Sequence, residues 1–368
     1  MSFYNTYSKY RDFDLNNFFS GITDEYLSKA IGSDNLSIEQ FLSLLSPKAE
    51  ELLEEAAQRA HNLTVQYFGR TIQLYTPIYI SSYCENECSY CGFNMRNKIQ
   101  RRKLSLEEVE KEAGLIASTG LKHILLLTGE SREQSPLLYI RECIGILKRY
   151  FSSISIEIYA LTEEEYGELV EEGVDGLTIY QEVYDEDIYD KVHISGPKKD
   201  YSFRMDAAER AANRKMRTIN IGALLGLAPW RKEAFMLGLH AKYLQDKFTD
   251  AEISISLPRI RPQIESFDIQ YPVSDKNIVQ MVIAMRIFLP RLGITLSTRE
   301  NSNLREDILP LGITRMSAFS TTSVGGHTIN DKEEPGQFSI SDKRDTASIR
   351  EMLLSKGYQP VFKDWMHV

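Results

Sequence analysis

From residue 71 onward the chain alternates short apolar runs with longer amphipathic ones. The runs TIQLYTPIYIS (71–81), KHILLLTG (122–129), SISIEIYAL (153–161), VDGLTIY (174–180), RTINIGALLG (217–226), AEISISLP (251–258), ITLST (294–298) and ITRMSAF (313–319) are rich in Ile and Leu and nearly continuous. Runs of that kind are strands buried on both faces, as in a parallel sheet. Between them lie segments of helical period, such as TEEEYGELVEEG (162–173), opened by Thr162 and closed by Gly173. Eight strand–helix units over about 250 residues predict a TIM-type (β/α)8 barrel. An open doubly wound sheet ranks second, because no strand runs into a G-x-G-x-x-G turn.

The first 70 residues predict helices. Ser37-Ile38-Glu39-Gln40 has the form of a capping box, and Ser46-Pro47 that of an N-cap followed by proline. The expected organisation is a helical extension over 1–70, the barrel over 71–320 and an extension over 321–368 that closes the barrel mouth.

Composition narrows the function classes. Lys plus Arg number 43 and Asp plus Glu 52, a net charge of −9 that disfavours general nucleic-acid binding. The basic clusters at 96–103 and 214–217 read as solvated faces. No apolar run reaches the roughly 18 residues of a membrane span, and the N-terminus lacks a signal-peptide core. Four cysteines in 368 residues make no disulfide framework, so reduced thiols and a cytoplasmic location are expected.

Three of those cysteines, Cys84, Cys88 and Cys91, fall in SSYCENECSYCGF (81–93), where the first strand ends. Barrel chemistry sits at the C-terminal ends of strands. A structural zinc site wants four ligands, and the nearest fourth candidates are remote. Three thiolates suit a [4Fe–4S] cluster, each binding one iron and leaving the fourth open. C-x3-C-x2-C with an aromatic before the last cysteine, here Tyr90, resembles the radical-SAM superfamily, in which S-adenosylmethionine (SAM) binds the open iron. That likeness makes Tyr90 and Phe93 expected neighbours of the adenosyl group. The fourth cysteine, Cys143, sits mid-helix among apolar residues and reads as a core thiol.

Other strand ends carry polar groups. Gly129-Glu130, after the second strand, resembles the superfamily's contact to the SAM amino group. Glu157 and Tyr159 end the third strand, on one side by alternation. Glu157 either holds the SAM ribose or belongs to a buried ion pair. Glu182 ends the fourth strand. Arg204, on the next helix, either neutralises the SAM carboxylate or is an ordinary helix-surface arginine. Strands six to eight end in SLPRIRP, LSTREN and MSAFSTTSVGGH, which bring Arg259, Arg261, Arg299, Ser317, Ser320 and His327 toward the mouth. Arginines with hydroxyls suit a small carboxylate substrate.

With CENECSYCGF, LLLTGES, DGLTIYQEVYDEDIYDKVH, SGPKKDYSFRMDAAERA, IGALLGLAPWR, SLPRIRP, LSTREN, MSAFSTTSVGGH and GYQPVFKDW, the chain resembles the radical-SAM tyrosine lyases of thiazole synthesis over nearly its whole length. The resemblance implies cleavage of the Cα–Cβ bond of L-tyrosine to p-cresol and 2-iminoacetate for thiamine synthesis. It implies Cys84, Cys88 and Cys91 as cluster ligands. Tyr90, Phe93, Gly129, Glu130, Glu157, Tyr159, Glu182 and Arg204 are expected at the SAM site. Glu130, Arg299, Ser317 and Ser320 are expected as the catalytic and substrate-holding set. Implied partners are the thiazole synthase and a flavodoxin or ferredoxin-type electron donor. The N-terminal helices and the segment after 320 are expected to form a lid. The alternative is another aromatic amino-acid lyase, of the hydrogenase-maturation or tryptophan type. The lack of cysteines after Cys143 speaks against a second cluster.

Overall fold

A computed structural model of the chain describes residues 2–329 and 336–363. The eight expected strands form: β1 Thr71–Ser81, β2 His123–Thr128, β3 Ser153–Glu157, β4 Gly176–Glu182, β5 Thr218–Ala223, β6 Glu252–Ser256, β7 Gly293–Leu296 and β8 Arg315–Ser317. Each pairs in parallel with the next. β8 returns to β1 in the register Gln73↔Arg315 and Tyr75↔Ser317, which closes the barrel. β1 is long because its ends serve different neighbours. Its first residues also pair with Gln359–Val361, a strand the apolar pattern did not predict.

Capping chemistry sets the helices between. Ser105 and Thr162 each close a capping box, and Gly173 ends its helix with φ 111°. Ser37 and Gln40 also form the box expected of them. The interior of the barrel is partly polar: Asn220 Nδ2 donates to Ser256 Oγ at 2.9 Å, and His123 bonds Ser155 at 2.9 Å.

Two helices of the outer ring, Trp230–Lys247 and Asp275–Phe288, are buried on nearly every side. An all-round apolar helix needs a second covering layer, and residues 3–70 supply it. Phe41 stacks on Phe288 at 4.1 Å, and Gln280 Nε2 donates to the carbonyls of Leu44 and Ser46 at 2.9 and 2.8 Å. The N-terminal helices therefore cover the barrel's flank and line none of the clefts at its mouth, unlike the lid expected of them. Of the expected C-terminal extension, residues 330–335 and 364–368 lie outside the described residues. Residues 336–342 cross the mouth: Gly92 N donates to Gln337 O at 3.1 Å, Ser339 N to Pro262 O at 2.8 Å and Ser341 N to Thr298 O at 2.9 Å. No described helix is long and apolar enough to cross a membrane.

Candidate active site

The cysteine loop leaves β1 and is held open by hydrogen bonds rather than by apolar packing alone. Glu87–Cys88 pairs antiparallel with His193–Ser195. Arg101 donates to the carbonyls of Ser82 and Phe93, both at 2.7 Å, and Asn94 Nδ2 donates to Cys88 O at 2.9 Å. Gly129 N donates to Ser81 O at 2.8 Å. A Cβ on Gly129 would lie 2.3 Å from Tyr83 O, so the loop can approach the end of β2 only over a glycine.

Cys84, Cys88 and Cys91 all line one cleft of about 540 Å³, together with Phe93, Gly129, Glu130, Glu157, Glu182, Lys198, Arg204 and Gln337. Among the described residues, no three His, Cys, Asp or Glu side chains converge on a single ion. Thiols spread round one cleft suit a cubane cluster, where each sulfur binds its own iron. Burial, and then the nearby Glu130, pushes the Cys84 thiol up to about 11, and burial also pushes the Cys88 thiol well up. Such thiols ionise when a metal supplies the countercharge. The donor set therefore fits a [4Fe–4S] cluster.

The polar side of this cleft is a buried charge chain. Glu130 accepts from Arg204 Nη1 at 2.9 Å and from Asn86 Nδ2 at 2.8 Å. Arg204 Nε donates to Tyr180 O at 2.7 Å, and its other amino group lies 3.7 Å from Glu182. Glu182, at φ 69°, accepts from Lys198 Nζ at 2.7 Å. Arg204 is thus no surface arginine. Lys198 and Asn86 were not singled out in the sequence. In GPKKD (196–200) a buried lysine looks like a solvated one; its turn is fixed by the bond from Lys198 N to Asn86 Oδ1 at 2.8 Å and by the Tyr189 hydroxyl, which donates to Lys198 O at 2.5 Å.

Two residues expected at the SAM site do not line the cysteine cleft. Tyr90 does not line the cysteine cleft. Its hydroxyl meets His193 Nε2 at 2.8 Å, and its ring packs with Val183 and Tyr189. The His193 pairing, invisible in the sequence, turns it away. Tyr159 does not share a cleft with Glu157. β3 ends at Glu157, so strand alternation does not extend two residues further. The Tyr159 hydroxyl donates to Ser135 O at 2.9 Å, and the side chain lines an adjoining cleft with Glu130, Arg132 and Arg204.

Glu157 lies at a junction. It lines the cysteine cleft and also a second pocket of about 490 Å³, with Tyr75, Leu125, Tyr180, Arg299, Ser317, Ser320 and Phe338. Burial, reinforced by Glu182, raises its carboxyl to about 7. Arg299 rests on the Phe338 ring at 3.4 Å and has no carboxylate partner among the described residues. The other strand-end arginines are engaged, Arg259 with Glu300 and Asp275 and Arg261 with Ser341; Arg305, on the helix Ser302–Asp307, pairs with Asp342. Ser317 Oγ accepts from Thr298 N at 3.1 Å, whereas the buried Ser320 Oγ has no partner. Arg299 Nη1 reaches only the carbonyl of Arg259, at 3.5 Å, and a guanidinium without a carboxylate beside an unpaired hydroxyl forms a receptor for a carboxylate. His327 lies apart, fixed between Glu112 at 2.8 Å and Phe319 O at 2.7 Å.

Residues 78–236 match the Radical SAM superfamily and residues 256–359 the Biotin and Thiamin Synthesis associated domain. The chain is 37% identical over 347 residues to the 2-iminoacetate synthase of Salmonella typhimurium, covering 94% of this chain and 92% of that protein. The Escherichia coli 2-iminoacetate synthase is equally similar. Among solved structures, the FeFe-hydrogenase maturase HydG from Carboxydothermus hydrogenoformans superposes with a TM-score of 0.85 at 33% identity, over 98% of this chain and 83% of that one. Methylornithine synthase shares the fold, with a TM-score of 0.74 at 23% identity over 91% of this chain and 97% of that one. With a cleft that fits a three-thiolate cluster and this similarity over almost its full length, the chain belongs to the 2-iminoacetate synthase family of radical SAM enzymes.

Proposed function

We propose that the two clefts divide the work of a tyrosine lyase: the cysteine cleft holds the [4Fe–4S] cluster and SAM, and the adjoining pocket holds L-tyrosine. The observation that carries this reading is Arg299, which has no carboxylate partner among the described residues, beside the unpaired Ser320 hydroxyl, in a pocket that meets the cysteine cleft at Glu157. A cluster held by Cys84, Cys88 and Cys91, with SAM beside it, would supply a 5′-deoxyadenosyl radical for hydrogen-atom abstraction from the substrate's amino group; Cα–Cβ cleavage would then release 2-iminoacetate and a hydroxybenzyl fragment that takes up one further electron and a proton to leave as p-cresol.

The protein's part is to position and to exclude water. Arg299 grips the substrate carboxylate, with Ser320 and Ser317 in support. Tyr75, Leu125 and Tyr180 give the phenol ring an apolar wall. Glu130 takes the SAM amino group, oriented by Arg204 and Asn86, and Glu182 and Lys198 complete that wall. Residues 336–342 close the mouth, which protects an imine that water would hydrolyse. The imine passes to a thiazole synthase, and a flavodoxin or ferredoxin-type protein supplies the electron. Thiols that must stay reduced suit a cytoplasmic setting.

The test is anaerobic reconstitution followed by product analysis with SAM and reductant. We expect p-cresol and 2-iminoacetate from tyrosine and neither from tryptophan. Cleavage of tryptophan with none of tyrosine would overturn the substrate assignment.

A further inference from the structure

We propose that the surface formed by Met95, Ile194 and the basic strap Arg96–Lys103 is the docking face for a small acidic one-electron carrier of the flavodoxin type. The proposal rests on the cluster reading above and adds where the electron enters.

The chain as a whole carries −9, yet residues 94–103 (NMRNKIQRRK) hold five basic residues and no acidic one. In the sequence this is a solvated turn. In the structure it is folded directly on the cysteine loop. Asn94 N donates to Cys91 O at 3.0 Å, Asn94 Nδ2 to Cys88 O at 2.9 Å, and Asn97 Nδ2 to Gly92 O at 3.0 Å. Arg101 points inward and ties the strap to Ser82 and Phe93. Arg102 turns to Glu108 at 3.5 Å, and Lys103 bonds Gln134 O at 2.8 Å beside the Tyr139 ring, so the outward charge is carried by Arg96 and Lys98. The Arg96 side chain is 73% exposed and bonds only the edge of Glu87, and Lys98 is exposed with no counter-ion among the described residues.

Beside these charges lies an apolar centre. Met95 is 50% exposed and Ile194 47%. They belong to one patch, because Ser195 Oγ touches Met95 Sδ at 4.0 Å across the short Glu87–Cys88/His193–Ser195 ladder. Lys199 stands on the far side, its Nζ 3.3 Å from Ile194 O and paired with Asp190 at 2.8 Å, so the unpaired positive charge of the rim lies on the strap side, at Lys98. An apolar centre with a charged rim is the layout of a transient protein interface. The sign of that rim selects the partner. An acidic carrier is repelled by the rest of the chain and drawn to this face, and such steering raises association rates about 10- to 1,000-fold at low salt. Electron transfer falls steeply with distance, and among the described residues no other surface element is bonded so directly to two of the three cysteines' carbonyls.

The experiment compares two reductants on the reconstituted holoenzyme: photoreduced acidic flavodoxin and dithionite, each read as 5′-deoxyadenosine formed from SAM. The variants are Lys98→Glu, Lys98→Glu with Met95→Gln, and the charge-preserving Lys98→Arg. With flavodoxin at low ionic strength, the double variant should lose about tenfold in rate. Its salt dependence should flatten, and Lys98→Arg should match the parent. With dithionite all should be alike. An unchanged flavodoxin rate in the double variant would overturn the proposal. So would an equal loss with dithionite, which would mean that these side chains support the cluster instead of a partner. A parent enzyme that cleaves no SAM with dithionite sinks the cluster reading itself, and the docking face falls with it.

Discussion

Arg204 and Glu130 form a salt bridge at 2.9 Å with side chains only 7% and 13% exposed, where the loop after β2 meets the helix after β4. The guanidinium also holds Tyr180 O and lies within 3.7 Å of Glu182, so one cation answers two buried carboxylates. Removing it leaves Glu130 without a cation and Glu182 with Lys198 alone. Arg204→Ala should lower unfolding free energy by about 3–5 kcal/mol, the usual cost of an uncompensated buried charge. Arg204→Lys keeps the charge but not the planar fork, and should recover only part of the loss. Urea denaturation of the three proteins measures both steps. Equal stability of the alanine variant and the parent would show that Lys198 and Asn86 suffice for the two carboxylates.

The cysteines should separate cleanly. Each of Cys84→Ala, Cys88→Ala and Cys91→Ala removes a thiol that lines the shared cleft. Each should lose SAM cleavage and most bound iron after anaerobic reconstitution. Cys143 is fully buried between Ile140, Ile144 and Leu147 on the far side of its helix. Cys143→Ala should keep iron and activity and cost only about 1 kcal/mol of stability. Loss of iron from the Cys143 variant would overturn this division.

Arg299 gives a sharper test of the second pocket. Its guanidinium has the Phe338 ring beneath it and no carboxylate among the described residues. Arg299→Ala should weaken tyrosine turnover at low substrate by at least about thirtyfold, since a buried carboxylate loses its partner. Reductive SAM cleavage without tyrosine should persist, because Arg299 does not line the cysteine cleft. Steady-state kinetics on p-cresol, set beside uncoupled 5′-deoxyadenosine formation, distinguishes the two effects. Parallel loss of both would remove Arg299 from the substrate pocket.

Much of this was legible in the sequence, and what was not has a common cause. Continuous Ile/Leu strands, helix caps and the C-x3-C-x2-C spacing are local signals, and the barrel and the cysteine cleft follow from them. Which arginine is free is not local. Arg259, Arg261 and Arg299 look alike at their strand ends, and only tertiary pairing with Glu300 and Ser341 engages two of them. Lys198 was overlooked for the same reason, as its partner Glu182 lies a strand away. Tyr159 was misplaced because alternation was carried past the last residue of β3. The N-terminal helices were expected at the mouth because the sequence shows an amphipathic face but not the surface it covers.

Glu157 makes the pH dependence of the protein testable. Burial and the neighbouring Glu182 raise its carboxyl to about 7, against an ordinary value of 4.5. The folded state therefore holds a proton that the unfolded chain releases. Below about pH 4.5 both states are protonated and the group is neutral toward stability. As pH rises toward 7 the unfolded chain loses its proton first, and the native state becomes progressively less stable. The effect is on the order of 2 kcal/mol once the partial solvation of a cleft-lining carboxyl is allowed for. Glu157→Gln fixes the neutral form at every pH. It should match the parent's melting temperature at pH 5 and exceed it at pH 8. A parent–variant difference that stays constant from pH 5 to pH 8 would mean that Glu157 titrates alike in the folded and unfolded chain, and that Arg299, Lys198 and Arg204 fully offset its burial.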